Sequence, residues 1–150
     1  MKKLIAKLWR LIRGPLQWRV LWLWHAKFMV GVTGVVRDGE GRVLLLKHRM
    51  WPEGRQWGLP TGYANKSETF EDTIVREVRE ETGLSVQVHQ LVHLKSGYKL
   101  RVEVAYEVES TGGTLAVDSF EILEAKWFSP TDLPSGLQES HRSLILRPQR

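Results

Sequence analysis

The chain has 150 residues, 42% hydrophobic and 26% charged, which is enough for one globular domain with a single core and too few for two. It contains no cysteine, which excludes disulfides and thiolate metal sites and leaves oxygen and histidine as the ligands available to any metal. The formal charge of +5 suggests nucleic acid until it is divided along the chain: residues 1–28 hold seven lysines and arginines and no acid, so the remainder is slightly acidic and no sequence-specific nucleic-acid binding is expected.

That basic arm comes first. Leu4, Ile5, Leu8, Leu11 and Ile12 keep helical spacing over residues 2–13, Gly14-Pro15 interrupts, and residues 16–28 are predicted as a second helix with Leu16, Val20 and Leu23 in line and Trp18, Trp22 and Trp24 around them. Lys7, Arg10 and Arg13 break any run resembling a secretory leader or a membrane span, and a cytoplasmic location is expected. Bases and tryptophans together are also the composition of a helix that lies on a membrane surface. Packing on the domain, or against a second copy in a homodimer, is the simpler expectation for residues 1–28.

From Met29 the texture changes to short apolar runs broken by turns. Residues 29–36 and 43–49 flank RDGEGR as a β-hairpin, and further strands are predicted over 84–92, 99–109 and 124–128, with Gly112-Gly113 and Ser129-Pro130 as turns. Residues 69–82 lack Gly and Pro, begin with acids and stop at Gly83, the signature of a helix, and a last helix is predicted over 138–146. The sum is an α+β domain over residues 29–150, a mixed sheet sandwiched between helices, with the helical arm before it.

On the helix 69–82, Glu77, Glu80 and Glu81 fall at i, i+3 and i+4, while Ile74, Val75 and Val78 supply an opposite face to anchor in the core. Three like charges at that spacing repel unless a cation joins them, and carboxylates select hard ions such as Mg²⁺, Mn²⁺ or Ca²⁺. Taken alone, such a helix is equally a solvated surface paired with Arg76 and Arg79.

The whole of residues 62–84, GYANKSETFEDTIVREVREETGL, decides between them. Gly62, Glu68, Arg76, Glu77, Val78, Glu80, Glu81, Gly83 and Leu84 stand at the spacings of G-x5-E-x7-R-E-U-x-E-E-x-G-U, with U apolar. The segment resembles the Nudix box at every defined position. The preceding WGLP (Trp57 to Pro60) and the later EAKWFSPTDLP (Glu124 to Pro134) look like the family's lead-in and last strand; Thr61 departs from a frequent second glycine.

The resemblance implies a Nudix fold and a hydrolase that cleaves a phosphoanhydride bond in a nucleotide-derived substrate. It implies Mg²⁺, with Mn²⁺ as substitute, on Glu77, Glu80, Glu81 and the Gly62 carbonyl, with Arg76 orienting a glutamate and Glu68 bracing the loop. For the general base it points first to Glu80 and second to Glu121. Arg49 and Arg55 are candidates to meet substrate phosphates, or else ordinary solvated bases. His48, His89, His93 and His141 show no metal-ligand spacing and are expected to be surface or packing residues. Residues 85–106 lack the proline that marks many ADP-ribose hydrolases, and no substrate is singled out. A Nudix-fold binding module without catalysis, or a protein acting mainly through its arm at a membrane or partner, are the competing readings.

Overall fold

The computed structural model describes residues 2, 9, 10, 14–117 and 120–148. The helix expected over residues 2–13 lies largely outside the described residues. The elements in chain order are α1 (Pro15–Trp24), β1 (Met29–Arg37), β2 (Val43–His48), β3 (Trp57–Gly58), β4 (Thr61–Tyr63), α2 (Phe70–Thr82), β5 (Ser85–Ser96), β6 (Arg101–Gly112), β7 (Ile122–Phe128) and α3 (Glu139–Ile145). The strands join one mixed sheet in the order β3-β2-β1-β6-β5, with β4 added to β1 and β7 to β2.

β1 is the spine of this sheet. One edge pairs in parallel with β6 from Met29↔Arg101 to Arg37↔Glu109. Its other edge is shared: Arg37 pairs with Val43 of β2 at the hairpin end, while Gly31, Val32 and Thr33 pair with Tyr63, Gly62 and Thr61 of β4. The predicted hairpin therefore closes only at its turn, where Asp38 Oδ1 accepts from the backbone N–H groups of Glu40 and Arg42. Beyond it, β2 turns away to pair with β7 and β3.

Apolar residues run continuously along β1 and β2 because both faces of the sheet are covered. One face packs Val32, Val36, Leu44 and Leu46 beneath Ile74 and Val78 of α2. The other packs Val35, Val43, Leu45 and Leu59 beneath Ile145 of α3 and Leu137, which lies just before that helix. Val75, expected in the core, is 36% exposed, because it lies about 100° around the helix from Ile74. Thr69 caps the start of α2 by accepting from the Asp72 N–H at 3.0 Å, and Gly83 ends it at φ 71, the left-handed cap that glycine adopts without strain.

β5 and β6 pair antiparallel and run longer than their sequence pattern indicated, to Ser96 and Gly112. No helix among the described residues is long and apolar enough to cross a membrane.

Of the arm, the described residues are chiefly those of α1. α1 takes Pro15, expected in the break, into its first turn and stops at Trp24 rather than at residue 28; none of its residues is buried, and Trp18, Trp22 and Trp24 are exposed. Among the described residues, Lys27 Nζ lies over the Trp22 ring at 4.4 Å. Since these indoles contribute nothing to the domain core, exchanging Trp18, Trp22 and Trp24 for serine should leave the melting temperature of the protein unchanged. A marked fall would mean that they are buried against another molecule.

Candidate active site

The site is built where β4 meets α2. Gly62 pairs with Val32 in the middle of the sheet, and a Cβ placed on it would lie 1.9 Å from Cδ and Oε1 of Glu77. Only glycine leaves room for that carboxylate to lie against the strand. Thr61, the departure from two glycines, fits because its hydroxyl lies 3.0 Å from Thr33 Oγ1 and donates to the Leu59 carbonyl at 3.1 Å.

Arg76 ties the loop to the helix. Its Nε donates to Glu68 Oε1 at 2.7 Å and Nη2 to Glu68 Oε2 at 3.1 Å, a two-point grip of the kind that fixes both partners. Nη2 also donates to the Tyr63 carbonyl at 3.2 Å, and Nη1 donates to Glu77 Oε1 at 2.7 Å and Glu80 Oε2 at 3.2 Å. Glu68 in turn accepts from the Asn65 N–H and the Thr73 hydroxyl. The Arg76 hydrogen bonds hold the Glu68 carboxyl down at about 2, so it stays ionised throughout the neutral range. The same bonds, led by Glu68, raise Arg76 above its ordinary value.

Beside this clamp lies a cavity of about 670 Å³ whose acidic wall is Glu77, Glu81 and Glu121. Glu81 is 7% exposed, and its Oε2 is buried without a hydrogen-bond partner. Burial first, then the charges of Glu77, Glu121 and Glu80, push its carboxyl up to about 8. Glu80 faces elsewhere. Its side chain is 61% exposed and is not among the residues lining this cavity, although its charge still reaches Glu81. The helix explains this: Glu77 and Glu81 are about 40° apart around the axis, whereas Glu80 and Glu81 are about 100° apart.

Among the described residues no three His, Asp or Glu side chains are gathered to hold an ion, since Arg76 draws Glu77 and Glu80 to itself. The donors still suit one. A buried carboxylate oxygen with no partner, crowded by three further acids, is what a hard divalent cation relieves.

The remaining walls come from residues that the sequence did not single out. His48 is buried and stacks on Trp51 with ring centroids 3.7 Å apart; His141 of α3 accepts the Leu59 N–H on Nδ1 at 3.0 Å. Burial lowers both imidazoles to about 4, so they are neutral at physiological pH. Tyr63 and Arg101 complete the lining, with Arg101 Nη1 donating to the tyrosine oxygen at 3.0 Å. Arg49 and Arg55 are not among the lining residues: Arg49 donates from Nε to the Phe120 carbonyl at 2.9 Å, and Arg55 is an exposed loop residue.

The family model for the NUDIX domain matches residues 27–147. This chain belongs to the Nudix hydrolase family. It is 29% identical over 121 residues to the ADP-ribose pyrophosphatase of Methanocaldococcus jannaschii, covering 77% of this chain and 70% of that protein. It is 28% identical over 110 residues to Nudix hydrolase 8 of Arabidopsis thaliana, covering 69% of this chain but only 30% of that longer protein. Among solved structures it is similar to the MutT NUDIX hydrolase of Burkholderia pseudomallei, with a TM-score of 0.68 and 26% identity over 80% of this chain and 97% of that one. The Nudix box is thus the loop and helix just described, from Gly62 to Leu84.

The raised Glu81 carboxyl has a consequence for this Nudix domain without metal. Between the unfolded value near 4.5 and the folded value of about 8, the folded state holds a proton that the unfolded state has lost. Stability therefore falls as pH rises through that window. Thermal denaturation in chelator should show this fall from pH 5 to 8, and Glu81→Gln should flatten it and be the more stable form at pH 8. An unchanged pH slope in Glu81→Gln would contradict the assignment of the strain to this carboxyl.

Proposed function

We propose that this chain hydrolyses a phosphoanhydride bond of a nucleoside diphosphate linked to a further moiety, a nucleoside triphosphate or nucleotide sugar for example, with Mg²⁺ or, in its place, Mn²⁺. The observation that carries the reading is the unpartnered, buried Glu81 Oε2 facing a cavity beside Glu77 and Glu121. Glu77, Glu81 and the Gly62 carbonyl would hold the ion, with Glu80 joining once Arg76 releases it. A cation bound there neutralises phosphate charge and lowers the pKa of a bound water.

The chain's own groups do the rest. Glu68 and Arg76 keep the Gly62 loop and α2 in fixed relation, so Glu77 and Glu81 need not reorganise when substrate arrives. Arg101, donating to Tyr63 at the cavity wall, offers a guanidinium to the phosphate oxygens. Glu121 is the better placed of the two base candidates, because it lines the cavity with Glu81 while Glu80 points outward. In this reading it takes the proton of the attacking water. The relative from Methanocaldococcus jannaschii is an ADP-ribose pyrophosphatase, which brings ADP-ribose into the substrate range to be tried alongside triphosphates and nucleotide sugars.

A panel of these nucleotides with and without Mg²⁺, read by released phosphate, pyrophosphate or nucleoside monophosphate, tests the activity. Turnover of at least one that vanishes in chelator is expected; no turnover of any of them would defeat the reading. With the substrate so found, Glu121→Gln should lower kcat by about 10²–10⁴-fold, as loss of a general base does. Glu80→Gln should lower it less. The reverse order would return the base to the box.

A further inference from the structure

We infer that a second, basic cleft beside the acidic cavity binds a phosphate group on the sugar of the substrate, apart from the diphosphate that is cleaved; this rests on the hydrolase reading above. The cleft has a volume of about 380 Å³ and shares Thr61, Arg101, Gln138 and His141 with the acidic cavity, so the two adjoin across one wall. A single ligand can therefore reach both.

Their charges are opposite. The first is lined by Glu77, Glu81 and Glu121, whereas the second is lined by Lys95, Arg101 and Arg147 against one carboxylate, Glu103. Glu103 lies opposite Lys95 across β5 and β6 and stands 3.4 Å from Arg101 Nε, so it offsets one of the three cations. Two positive charges remain. A phosphomonoester dianion matches that surplus, while a carboxylate needs only one partner. Ser140 and Ser143 of α3 also line the cleft; the Ser143 hydroxyl donates to the Glu139 carbonyl at 2.9 Å, which leaves Ser140 as the hydroxyl donor that suits the oxygens of such a group.

The junction is also polar and incompletely paired. Arg101, whose side chain lines both cavities, has its Nε buried without a hydrogen bond even beside Glu103. His141 gives Nδ1 to the Leu59 N–H, so its proton sits on Nε2 and the ring presents a neutral donor to the shared wall. A guanidinium with an unused donor at the meeting point of two cavities is what an extended, multiply phosphorylated nucleotide would satisfy. Substrates that lack the extra phosphate leave Lys95 and Arg147 solvated and gain nothing from them.

The test uses the full chain with Mg²⁺ and compares adenosine 5′-monophosphate with adenosine 2′,5′- and 3′,5′-bisphosphates by titration calorimetry. None of these probes has a phosphoanhydride bond, so binding is read without turnover. At least one bisphosphate should bind about ten-fold more tightly than the monophosphate, the effect of one added charge-assisted contact. The double variant Lys95→Gln/Arg147→Gln should abolish that difference. Both side chains are exposed, so the variant should melt with the wild type. Equal affinities in the wild type, no measurable binding of any probe, or a difference that survives in the variant would each overturn the inference. A failed hydrolysis panel alongside a surviving probe difference would instead count against the hydrolase reading alone.

Discussion

The structure of the site depends on one arginine. Arg76 sits on α2, yet three of its five hydrogen bonds reach groups off the helix that must be fixed to it for the site to exist, two on Glu68 and one on the Tyr63 carbonyl, while a fourth holds the Glu77 carboxylate of α2 itself. A lysine could carry the charge but not the fork, since its single ammonium cannot grip both Glu68 oxygens in one plane. With Glu68 braced, Gly62 is fixed against Glu77, and β4 is fixed to β1. The sheet and the helix then share one rigid corner.

That corner carries a cost which the core offsets. Glu81 stands one turn beyond Glu77 with its carboxyl buried and crowded by other acids, an arrangement that repels itself in the absence of a cation. Ile74 and Val78, both fully buried under Val32, Val36 and Leu44, hold α2 down against this repulsion. The strain is thus local to the site and borne by packing on the same helix. Such placement is the usual relation between a functional cluster and its scaffold.

Much of this was legible in the chain, for reasons that can be located. Thr69 and Gly83 bound α2 through capping chemistry that acts within a few residues, so its limits were readable to one residue. The box residues Gly62, Glu68, Arg76, Glu77 and Glu81 lie on a loop and helix joined in sequence, so fixed spacing translates into fixed geometry. Glu80 shares the helix sector of Glu77 and Glu81 at i, i+3 and i+4, but spacing alone does not say which of the three acids lines a narrow cavity. His48, Trp51, Arg101 and His141 were invisible as site residues: β2, the loop after it, β6 and α3 bring them together, and no local pattern records that meeting. The arm was legible only as a pattern. Its apolar and aromatic side chains have a helical pattern, but a pattern states which face wants covering and not what covers it.

Anomalous diffraction from crystals soaked in Mn²⁺ tests the central claim most directly, because it locates a cation without reference to turnover. The account predicts a peak inside the cavity at the Glu81 carboxylate, between Glu77 and Glu121, with the Arg76–Glu68 clamp intact. A cavity empty at saturating Mn²⁺, or an ion bound only on the outer face at Glu80, would contradict it.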